Sequence, residues 1–191
     1  MRLKEKVAIV TGGAHGMGEA EARLFAAEGA KVVVADILEH EAEMVAADIR
    51  ASGEEAMAAK LDVTNESEWI NLIAKVVATH GKLDILVNNA GISGSSVGDP
   101  DGLEGWHRII AVNQTSVFLG TRLAAEQMVK TGGGSIINIS SIMGLSAAPA
   151  GIPPMTHPKV PCGSTPKPQQ CGMARPGSGS TPSIRGTCRR C

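Results

Sequence analysis

The sequence predicts an α/β fold: a doubly wound parallel sheet of the Rossmann-like kind, incomplete, and followed by an irregular C-terminal tail. Short apolar runs alternate with Ala-, Glu- and Leu-rich segments of helical length along the first 151 of the 191 residues. The runs are apolar at successive positions, which is typical of parallel strands buried on both faces. Turn-forming Gly, Asp, Asn or Ser residues follow each run.

The first half of the predicted domain holds three strands, each followed by a helix. Residues 6–10 (KVAIV) meet a glycine turn, and residues 17–28 then form a helix that ends at Gly29. Residues 31–35 (KVVVA) form the second strand, which precedes a helix over 39–51. The third strand covers 56–61 and precedes an amphipathic helix over 66–79, which ends at Gly81.

Two further strands extend the alternation. Residues 83–87 form the fourth strand and run into the sequence NNAG at 88–91. One long helix is predicted from about Gly105 to Lys130, before three consecutive glycines at 132–134. Residues 135–139 form the fifth strand.

The composition changes sharply near Gly151. All 19 acidic residues precede residue 152, together with 12 of the 18 Lys and Arg, so residues 1–151 carry a net charge of −7 and residues 152–191 carry +6. The last 40 residues also hold all four Cys and eight of the ten Pro. They show no apolar periodicity, and their Pro, Gly and Ser content argues against a packed core. We therefore predict one folded domain over 1–151 and expect the tail over 152–191 to be disordered.

Composition also limits the class of protein. The hydrophobic fraction of 43% excludes a wholly disordered chain. No apolar run is long enough to span a bilayer and no signal-peptide pattern is present, so the expected location is the cytoplasm. The five His lack the spacing of metal ligands or of a nucleophile and its base, and we interpret them as surface or packing residues.

A glycine-rich turn between the first strand and the first helix predicts dinucleotide binding. Gly12, Gly16 and Gly18 let the backbone approach a pyrophosphate, and the helix that follows offers unpaired N–H groups. Asp36, 18 residues after Gly18, ends the second strand where a ribose-binding carboxylate is expected. An ionised Asp there repels a 2′-phosphate, and the turn contains no Lys or Arg, so NAD is preferred over NADP. A plain strand–helix turn is the alternative, which the acid at this spacing disfavours.

Several motifs in order resemble those of the short-chain dehydrogenase/reductase family over residues 1–151. They are the TGxxxGxG pattern from Thr11, the pair Asp62-Val63, NNAG at 88–91, Asn113, and GSIINISS at 134–141. The resemblance implies an NAD-dependent oxidoreductase of secondary alcohols or ketones that is usually homo-oligomeric. No nucleic-acid or membrane partner is expected. Small apolar residues at 93–98 and 143–150 are compatible with a modest alicyclic or secondary alcohol.

The same resemblance implies a role for each motif. Asp62 and Val63 would flank the adenine, and residues 89–91 would line the cofactor floor and brace the sheet. Asn113 would lie at a helix irregularity near the active site, and Ser141, with Ser140 as the second choice, would hydrogen-bond the substrate oxygen. The expected cofactor-binding residues are Gly12, His15, Gly16, Met17, Gly18, Asp36, Ile37, Asp62, Val63, Asn89, Ala90, Gly91 and Val112. Taken singly, Asn88 and Asn89 can also be turn formers, and the two serines strand-end caps.

The catalytic acid–base pair of the family is missing. Family members use a Tyr about thirteen residues after the catalytic Ser to move the proton, and a Lys four residues later that lowers the Tyr pKa. Those positions are Pro154 and Pro158 here, and the chain contains no Tyr. The chain as given is therefore expected to be catalytically impaired.

A shift of the reading frame between about Gly151 and Pro154 accounts for the break. Codons that straddle two residues take the last base of one codon and the first two of the next. Between Pro154 and Gly163 they can read Tyr-Asp-Ala-Ser-Lys-Gly-Ala-Val-Arg, and between Pro176 and Gly186 Gly-Ile-Arg-Val-Asn-Ser-Ile-His-Pro-Gly. Both stretches resemble the missing family motifs, in the right order. A gain of two bases or a loss of one produces the shift, and the family spacing favours the gain.

The tail also has a competing interpretation as a basic metal- or nucleic-acid-binding module. Its cysteines are Cys162, Cys171, Cys188 and Cys191, and two arginines lie inside the last CxxC. Only one close Cys pair is present, where a structural zinc site usually has two, and the tail has no aromatic residue for stacking. Three hypotheses remain: a family dehydrogenase, a catalytically silent nucleotide-binding remnant, and this module. We favour the family for identity and the remnant for the behaviour of this polypeptide.

Overall fold

A computed structural model describes residues 1–99 and 102–141, and within them five parallel strands alternate with helices. The strands are β1 (Val7–Thr11), β2 (Lys31–Asp36), β3 (Ala56–Lys60), β4 (Ile85–Asn88) and β5 (Ser135–Asn138). The α-helices are α1 (Gly16–Ala27), α2 (Glu39–Ala51), α3 (Glu66–His80), α4 (Leu103–Ile110) and α5 (Ser116–Lys130). The predicted doubly wound sheet is confirmed, and most predicted bounds agree with these to within two residues. No helix in the described ranges is long and apolar enough to cross a membrane.

The sheet has the strand order β3-β2-β1-β4-β5, so the chain first builds outward from β1 on one side and then crosses to the other. Alternate residues of the strands face opposite layers, as the pleat requires. Val7 and Ile9 belong to the core shared with α3 and α5, which is filled by large side chains such as Trp69 and Leu72. Ala8 and Val10 belong to the core shared with α1 and α2.

The layer formed by α1 and α2 is built from small residues. Ala22 and Ala26 of α1 and Ala42 and Ala46 of α2 are each at most 1% exposed. Methyl groups at these contacts let both helices pack close to the valine-rich strands, because little side-chain volume separates the backbones. The position of α1 above the sheet is therefore set by its alanines.

The expectation that every strand is buried on both faces is wrong for the two edge strands. β3 and β5 pair with one neighbour each within the described ranges, whereas β1, β2 and β4 are almost fully buried. Residues of β3 are mostly half-buried, and Ile137 of β5 is 39% exposed. Apolar sequence alone does not distinguish a central strand from an edge strand, because that depends on which strands lie beside it.

The long helix predicted from about Gly105 to Lys130 is present as a continuous helical segment from Leu103 to Lys130, but it is not regular. α4 begins earlier, at Leu103, and a π-helical turn over Ala111–Thr115 separates it from α5. In that turn the hydroxyl of Ser116 donates to the carbonyl of Val112, and the side chain of Asn113 bonds outside the helix. Side-chain hydrogen bonds of this kind compete with the regular backbone ladder, which explains the local widening.

A charged cluster closes the amino-terminal end of the sheet, opposite the end that carries the motifs. Asp84 accepts hydrogen bonds from Val7 N at 2.9 Å and Lys6 Nζ at 3.0 Å, and it lies 2.9 Å from Lys82 Nζ. Partial burial alone raises the pKa of Asp84, but the hydrogen bond from Val7 and the two lysines outweigh it and hold that pKa below its ordinary value. The ionised carboxylate therefore stabilises the fold.

Candidate functional site

A cleft of about 850 Å³ opens at the carboxyl end of the sheet, where β1 and β4 lie side by side. The chain leaves β1 toward β2 on one side and leaves β4 toward β5 on the other, so the loops diverge at this point. In open α/β sheets such a divergence leaves a crevice in which ligands bind. The predicted glycine turn, Asp36 and the NNAG sequence all meet here.

The glycine turn is shaped by close backbone contacts. A Cβ on Gly18 would lie 2.1 Å from the carbonyl oxygen of Gly12, so no side chain fits there. Gly12 and Gly16 have φ of +65° and +59°, the left-handed region that favours glycine. His15 at the N-cap of α1 makes no side-chain capping bond. The first turn of α1 therefore receives no side-chain cap from His15, and its positive dipole end faces the cleft that His15 and Met17 line.

Thr11 ties the end of β1 to the end of β4. It is 1% exposed, and its Oγ1 donates to Val87 O at 3.1 Å while it accepts from Asn89 N at 3.0 Å and Ala90 N at 3.1 Å. Asn89 completes the link, because its Nδ2 donates to Thr11 O and Gly12 O at 3.0 and 3.2 Å. The floor of the cleft is thus bonded directly to the glycine turn.

Asp36 connects the end of β2 to the same turn. Its Oδ2 accepts from Ala14 N at 3.1 Å, and its Oδ1 accepts from Leu38 N at 3.0 Å. A carboxylate oxygen can accept two hydrogen bonds, so each oxygen keeps one position for a donor in the cleft. Asp36 also lines the cleft, together with Ile37 and Leu38.

Asp62 and Val63 form the opposite corner of the cleft. Oδ1 of Asp62 accepts from both the N–H and the hydroxyl of Thr64, at 2.9 and 2.7 Å. Val63 is 8% exposed, and its carbonyl accepts from the indole N–H of Trp69 at 2.9 Å. The corner is therefore fixed by its own short turn and by α3.

Asn113 lies in the π-helical turn, as the resemblance implied, and its side chain bonds to the backbone of Ile92. It is 5% exposed, its Oδ1 accepts from Ile92 N and its Nδ2 donates to Ile92 O, both at 2.8 Å. The amide therefore clamps the loop after β4 onto the π-helical turn. These two bonds use one of the two N–H donors and one of the two lone pairs of the amide.

Ser141 lies three residues beyond β5, at the same end of the sheet as the cleft. The register pairs Asn88 with Asn138, and Asn88 Nδ2 donates to Asn138 Oδ1 at 2.8 Å. This bond, with a further contact from Asn88 to Thr121 at 3.3 Å, shows that Asn88 braces the sheet as well as ending a strand. The bond between Asn88 and Asn138 fixes the end of β5, from which the chain runs on to Ser140 and Ser141.

Most of the predicted cofactor-binding residues meet in the cleft. Those that line it are Gly12, His15, Met17, Asp36, Ile37, Asp62, Val63, Asn89, Ala90, Gly91 and Val112. Gly18 lies beneath the turn against Gly12, and Gly16 faces open space.

Sequence reasoning missed one wall of the cleft, which α4 provides. Glu104, His107, Arg108 and Ala111 line it. Their spacing of three, four and seven residues marks one helix face and was the available signal. His15 and His107 are both exposed, as the interpretation of the histidines as surface residues expects, and both line the cleft.

The expected sites of the tail, including Pro154, Pro158 and the four cysteines, lie outside the described residues. So does the stretch 143–150 expected to shape a substrate pocket. Among residues 1–99 and 102–141, no group of three or more His, Cys, Asp or Glu is arranged to hold a metal ion.

The chain belongs to the short chain dehydrogenase family, whose model matches residues 6–153. It is 49% identical over 144 residues to the 2,5-dichloro-2,5-cyclohexadiene-1,4-diol dehydrogenase LinX of Sphingobium indicum, covering 75% of this chain and 58% of the relative. It is 45% identical over 148 residues to cyclopentanol dehydrogenase of Comamonas testosteroni, covering 78% and 59%. The family expected from the motifs is confirmed.

A steroid-acting relative and a solved structure agree with this assignment. The 3-alpha-(or 20-beta)-hydroxysteroid dehydrogenase of Mycobacterium tuberculosis is 46% identical over 149 residues, which cover 78% of this chain and 56% of the relative. A 7 alpha-hydroxysteroid dehydrogenase solved with NADH and 7-oxo glycochenodeoxycholic acid superposes with a TM-score of 0.71 at 38% identity, covering 77% of this chain and 57% of that one. The chain thus spans less than three-fifths of the length of these relatives.

Proposed function

We propose that residues 1–151 bind a nicotinamide dinucleotide, NAD in preference to NADP, and that the chain as given does not carry out the dehydrogenation typical of its family. When bound, the dinucleotide supplies the hydride-accepting or hydride-donating group. Residues 152–191 are proposed to be a tail read in a shifted frame. The observation that carries the binding proposal is the glycine turn, where a side chain at Gly18 would collide with Gly12.

The residues of the cleft fit such a ligand. The uncapped start of α1 offers N–H groups to a pyrophosphate, and the backbone at Gly12 and Gly16 leaves room for its close approach. Asp36 has acceptor positions for ribose hydroxyls, and residues 62–63 and Val112 would flank the adenine. Residues 89–91 form the floor and brace it through Thr11.

The preference for NAD over NADP is supported by Asp36. Both of its oxygens are fixed by backbone N–H groups, so the carboxylate cannot turn away from the ribose without losing a bond. A 2′-phosphate placed against it would bring like charges together in a partly enclosed cleft. The glycine turn carries no Lys or Arg to offset that repulsion.

The proposed loss of catalysis rests on the missing proton carrier. Ser141 would hydrogen-bond the substrate oxygen, and Asn113 would hold the loop beside it through its clamp on Ile92. Neither residue type can exchange a proton near neutral pH, and loss of general acid–base assistance costs typically 10²–10⁴-fold in rate. We therefore propose a small-molecule alcohol or ketone substrate for the frame-restored protein and not for the present chain. The cytoplasmic location and homo-oligomeric assembly also stay predictions.

Two observations support the shifted frame. The family match ends at residue 153, inside the short interval in which the composition changes. The straddling codons between Gly163 and Pro176 can also read Leu-Asn-Thr-Lys-Ala-Ala-Ala-Val-Arg-Tyr-Gly-Lys-Ala, rich in strong helix formers where the printed frame has three prolines. No straddling codon from Pro154 to Gly186 is forced to be a stop. The alternative frame can therefore be read as a stretch of helix-forming residues between the two recovered motifs.

Binding is tested by titrating the purified chain with NADH and NADPH and following Trp fluorescence. We expect saturable binding of NADH and at least tenfold weaker binding of NADPH, with no NADH production from cyclic secondary alcohols. Equal affinity for the two would contradict the reading of Asp36, and robust turnover would contradict the proposed loss of catalysis.

The frame proposal is tested on the gene itself. We expect the nucleotides across codons 150–160 to align to homologous coding DNA only when two bases are removed or one is added. A frame-restored gene should give an alcohol-oxidising enzyme, and the same gene with the recovered Tyr codon changed to Phe should not. An uninterrupted alignment of the present frame to homologous DNA would refute the proposal.

A further inference from the structure

The outer edge of β5 is open in the part of the chain that the structure describes. β5 pairs with β4 on one side, and no described strand lies on its other side. The N–H groups of Ser135 and Ile139 donate to carbonyls on the β4 side, at 2.8 and 3.0 Å. Backbone groups of alternate residues point to the same side of a strand, so Ile136 and Asn138 direct their N–H and C=O groups away from β4. The open edge of β5 therefore presents two donors and two acceptors.

The sequence around this edge lacks the features that usually protect an edge strand, which are charged side chains, Pro and bulges. No Asp, Glu, Lys or Arg occurs between Lys130 and Lys159, and no Pro occurs in residues 101–148. The register of β5 on β4 is continuous over all four residues, without a bulge. The strand also places Ile137, 39% exposed, on its uncovered face. The edge is therefore suited to accept another strand.

The C-terminal residues of this chain are poorly suited to that role. Residues 152–191 hold eight prolines, and Pro has no N–H to donate to a ladder. Their longest run without Pro or Gly is TCRRC at 187–191, which carries two arginines. A second copy of β5, by contrast, supplies an uncharged strand of high β-propensity. The whole chain has a net charge of −1, so long-range repulsion between two copies is weak.

We propose that β5 is a docking strand for β5 of a second copy, and that the two strands pair antiparallel about a two-fold axis at Ile137. In this register Ile136 of each copy lies opposite Asn138 of the other. Each of these two pairs exchanges two hydrogen bonds, which uses every outward-facing backbone group of β5. Ile137 meets its own counterpart in the closer, non-hydrogen-bonded kind of pair, where the side chains of opposite residues contact each other.

The proposed pairing joins two five-stranded sheets into one and covers the exposed side chain of Ile137. It does not depend on the proposed dinucleotide function, because the cleft lies at the carboxyl end of β1 and β4 and not along β5. The interface consists of one short strand from each copy, so we expect a weak, concentration-dependent dimer.

The experiment follows the full chain by sedimentation velocity and by amide hydrogen exchange at about 10 µM and at about 1 mM, which spans the range of a weak interface. We expect monomer at the lower concentration and dimer at the higher. The amides of Ile136 and Asn138 should exchange about tenfold more slowly in the dimer, because pairing removes them from water. The amide of Ile137 points toward β4 and should exchange at the same rate at both concentrations.

Ile137→Lys tests the axis of the dimer. Two ammonium groups would then face each other across the strands, so the dissociation constant should rise about tenfold or more. Ile70→Lys on α3 and Phe118→Lys on α5 are matched controls, since they place the same charge on side chains that are 50% and 64% exposed. Both control variants should dimerise like the wild type.

The outcomes distinguish a second copy from other occupants of the edge. A chain that stays monomeric at both concentrations overturns the proposal. If the amides of Ile136 and Asn138 are also slow in that monomer, the chain's own residues cover the edge. A dimer that survives Ile137→Lys but is lost in Phe118→Lys forms through a helix face and likewise overturns the proposal. If Ile137→Lys fails to fold, the exchange pattern of the wild-type chain decides the question without it.

Discussion

Three hydrogen bonds at the junction between β1 and β4 depend on the hydroxyl of Thr11, and Thr11→Val measures their strength. Valine has nearly the same shape, so the change removes the hydroxyl and little else. Asn89 N and Ala90 N then lose their acceptor and Val87 O loses a donor. Leaving a buried donor unpaired costs about 1–3 kcal/mol. Because the two N–H groups belong to half-buried residues, we use the lower part of that range and expect a total loss of about 2–4 kcal/mol.

Thr11→Ser is the matched control, since it keeps the hydroxyl and loses one methyl group, worth about 1 kcal/mol. Urea unfolding followed by the fluorescence of the buried Trp69 should therefore rank the wild type first, Thr11→Ser second and Thr11→Val last, with a common dependence on urea. A loss of the expected size is a large share of the 5–15 kcal/mol that stabilises a typical domain. The reasoning is refuted if Thr11→Val is as stable as Thr11→Ser or more stable.

Three further predictions concern the turn, the ribose corner and the far end of the sheet. Gly18→Ala should weaken NADH binding at least tenfold in a fluorescence titration and destabilise the fold by about 1–3 kcal/mol, because the new Cβ collides with a carbonyl. Gly53→Ala is the control, because Gly53 also has a positive φ but has open space around it; this change should lower stability and leave NADH affinity unchanged. Asp36→Ala should bring the affinities for NADPH and NADH close together, while weakening both because the turn loses a bond to Ala14; an unchanged preference would contradict the role given to this carboxylate. Asp84→Asn should lower stability at pH 7 by roughly 1–2 kcal/mol. The pKa of Asp84 is lower in the folded chain than in the unfolded chain, so its ionised carboxylate adds to the free energy of unfolding above the unfolded pKa. That stabilisation is lost as the pH falls through the folded pKa. The urea midpoints of the wild type and Asp84→Asn should therefore converge in acid and stay apart at pH 7.

The alternation of strands and helices was predictable because each element carries its own period and its own end signal. The place of the cleft followed from the glycine turn at Gly12 and from Asp36, whereas the strand order is known from the structure. What local sequence could not predict depends on contacts between distant residues. In the π-helical turn the side chain of Asn113 bonds to Ile92, 21 positions away, and nothing in the helical periodicity reveals that bond.

The same limit applies to the candidate site. The spacing Asn65-x-x-Glu68 reads as an ordinary helix cap, and only the structure shows that Glu68 accepts from Asp62. The wall on α4 was missed because Glu104 and Arg108 look like solvated helix residues until β4 and its loop are placed beside them. When a side chain acts by bonding to the backbone of another helix or strand, the residues next to it in sequence do not indicate that role.

The alanine layer under α1 has a consequence for anyone who alters this chain. The height of the helix above the strands, and with it the distance between its first turn and the ends of β1 and β2, is set by methyl groups at Ala22 and Ala26. A larger side chain at either position would increase the distance between the helix and the sheet and would displace the glycine turn that precedes the helix. Added bulk meant to increase stability would there be felt as a change in ligand affinity.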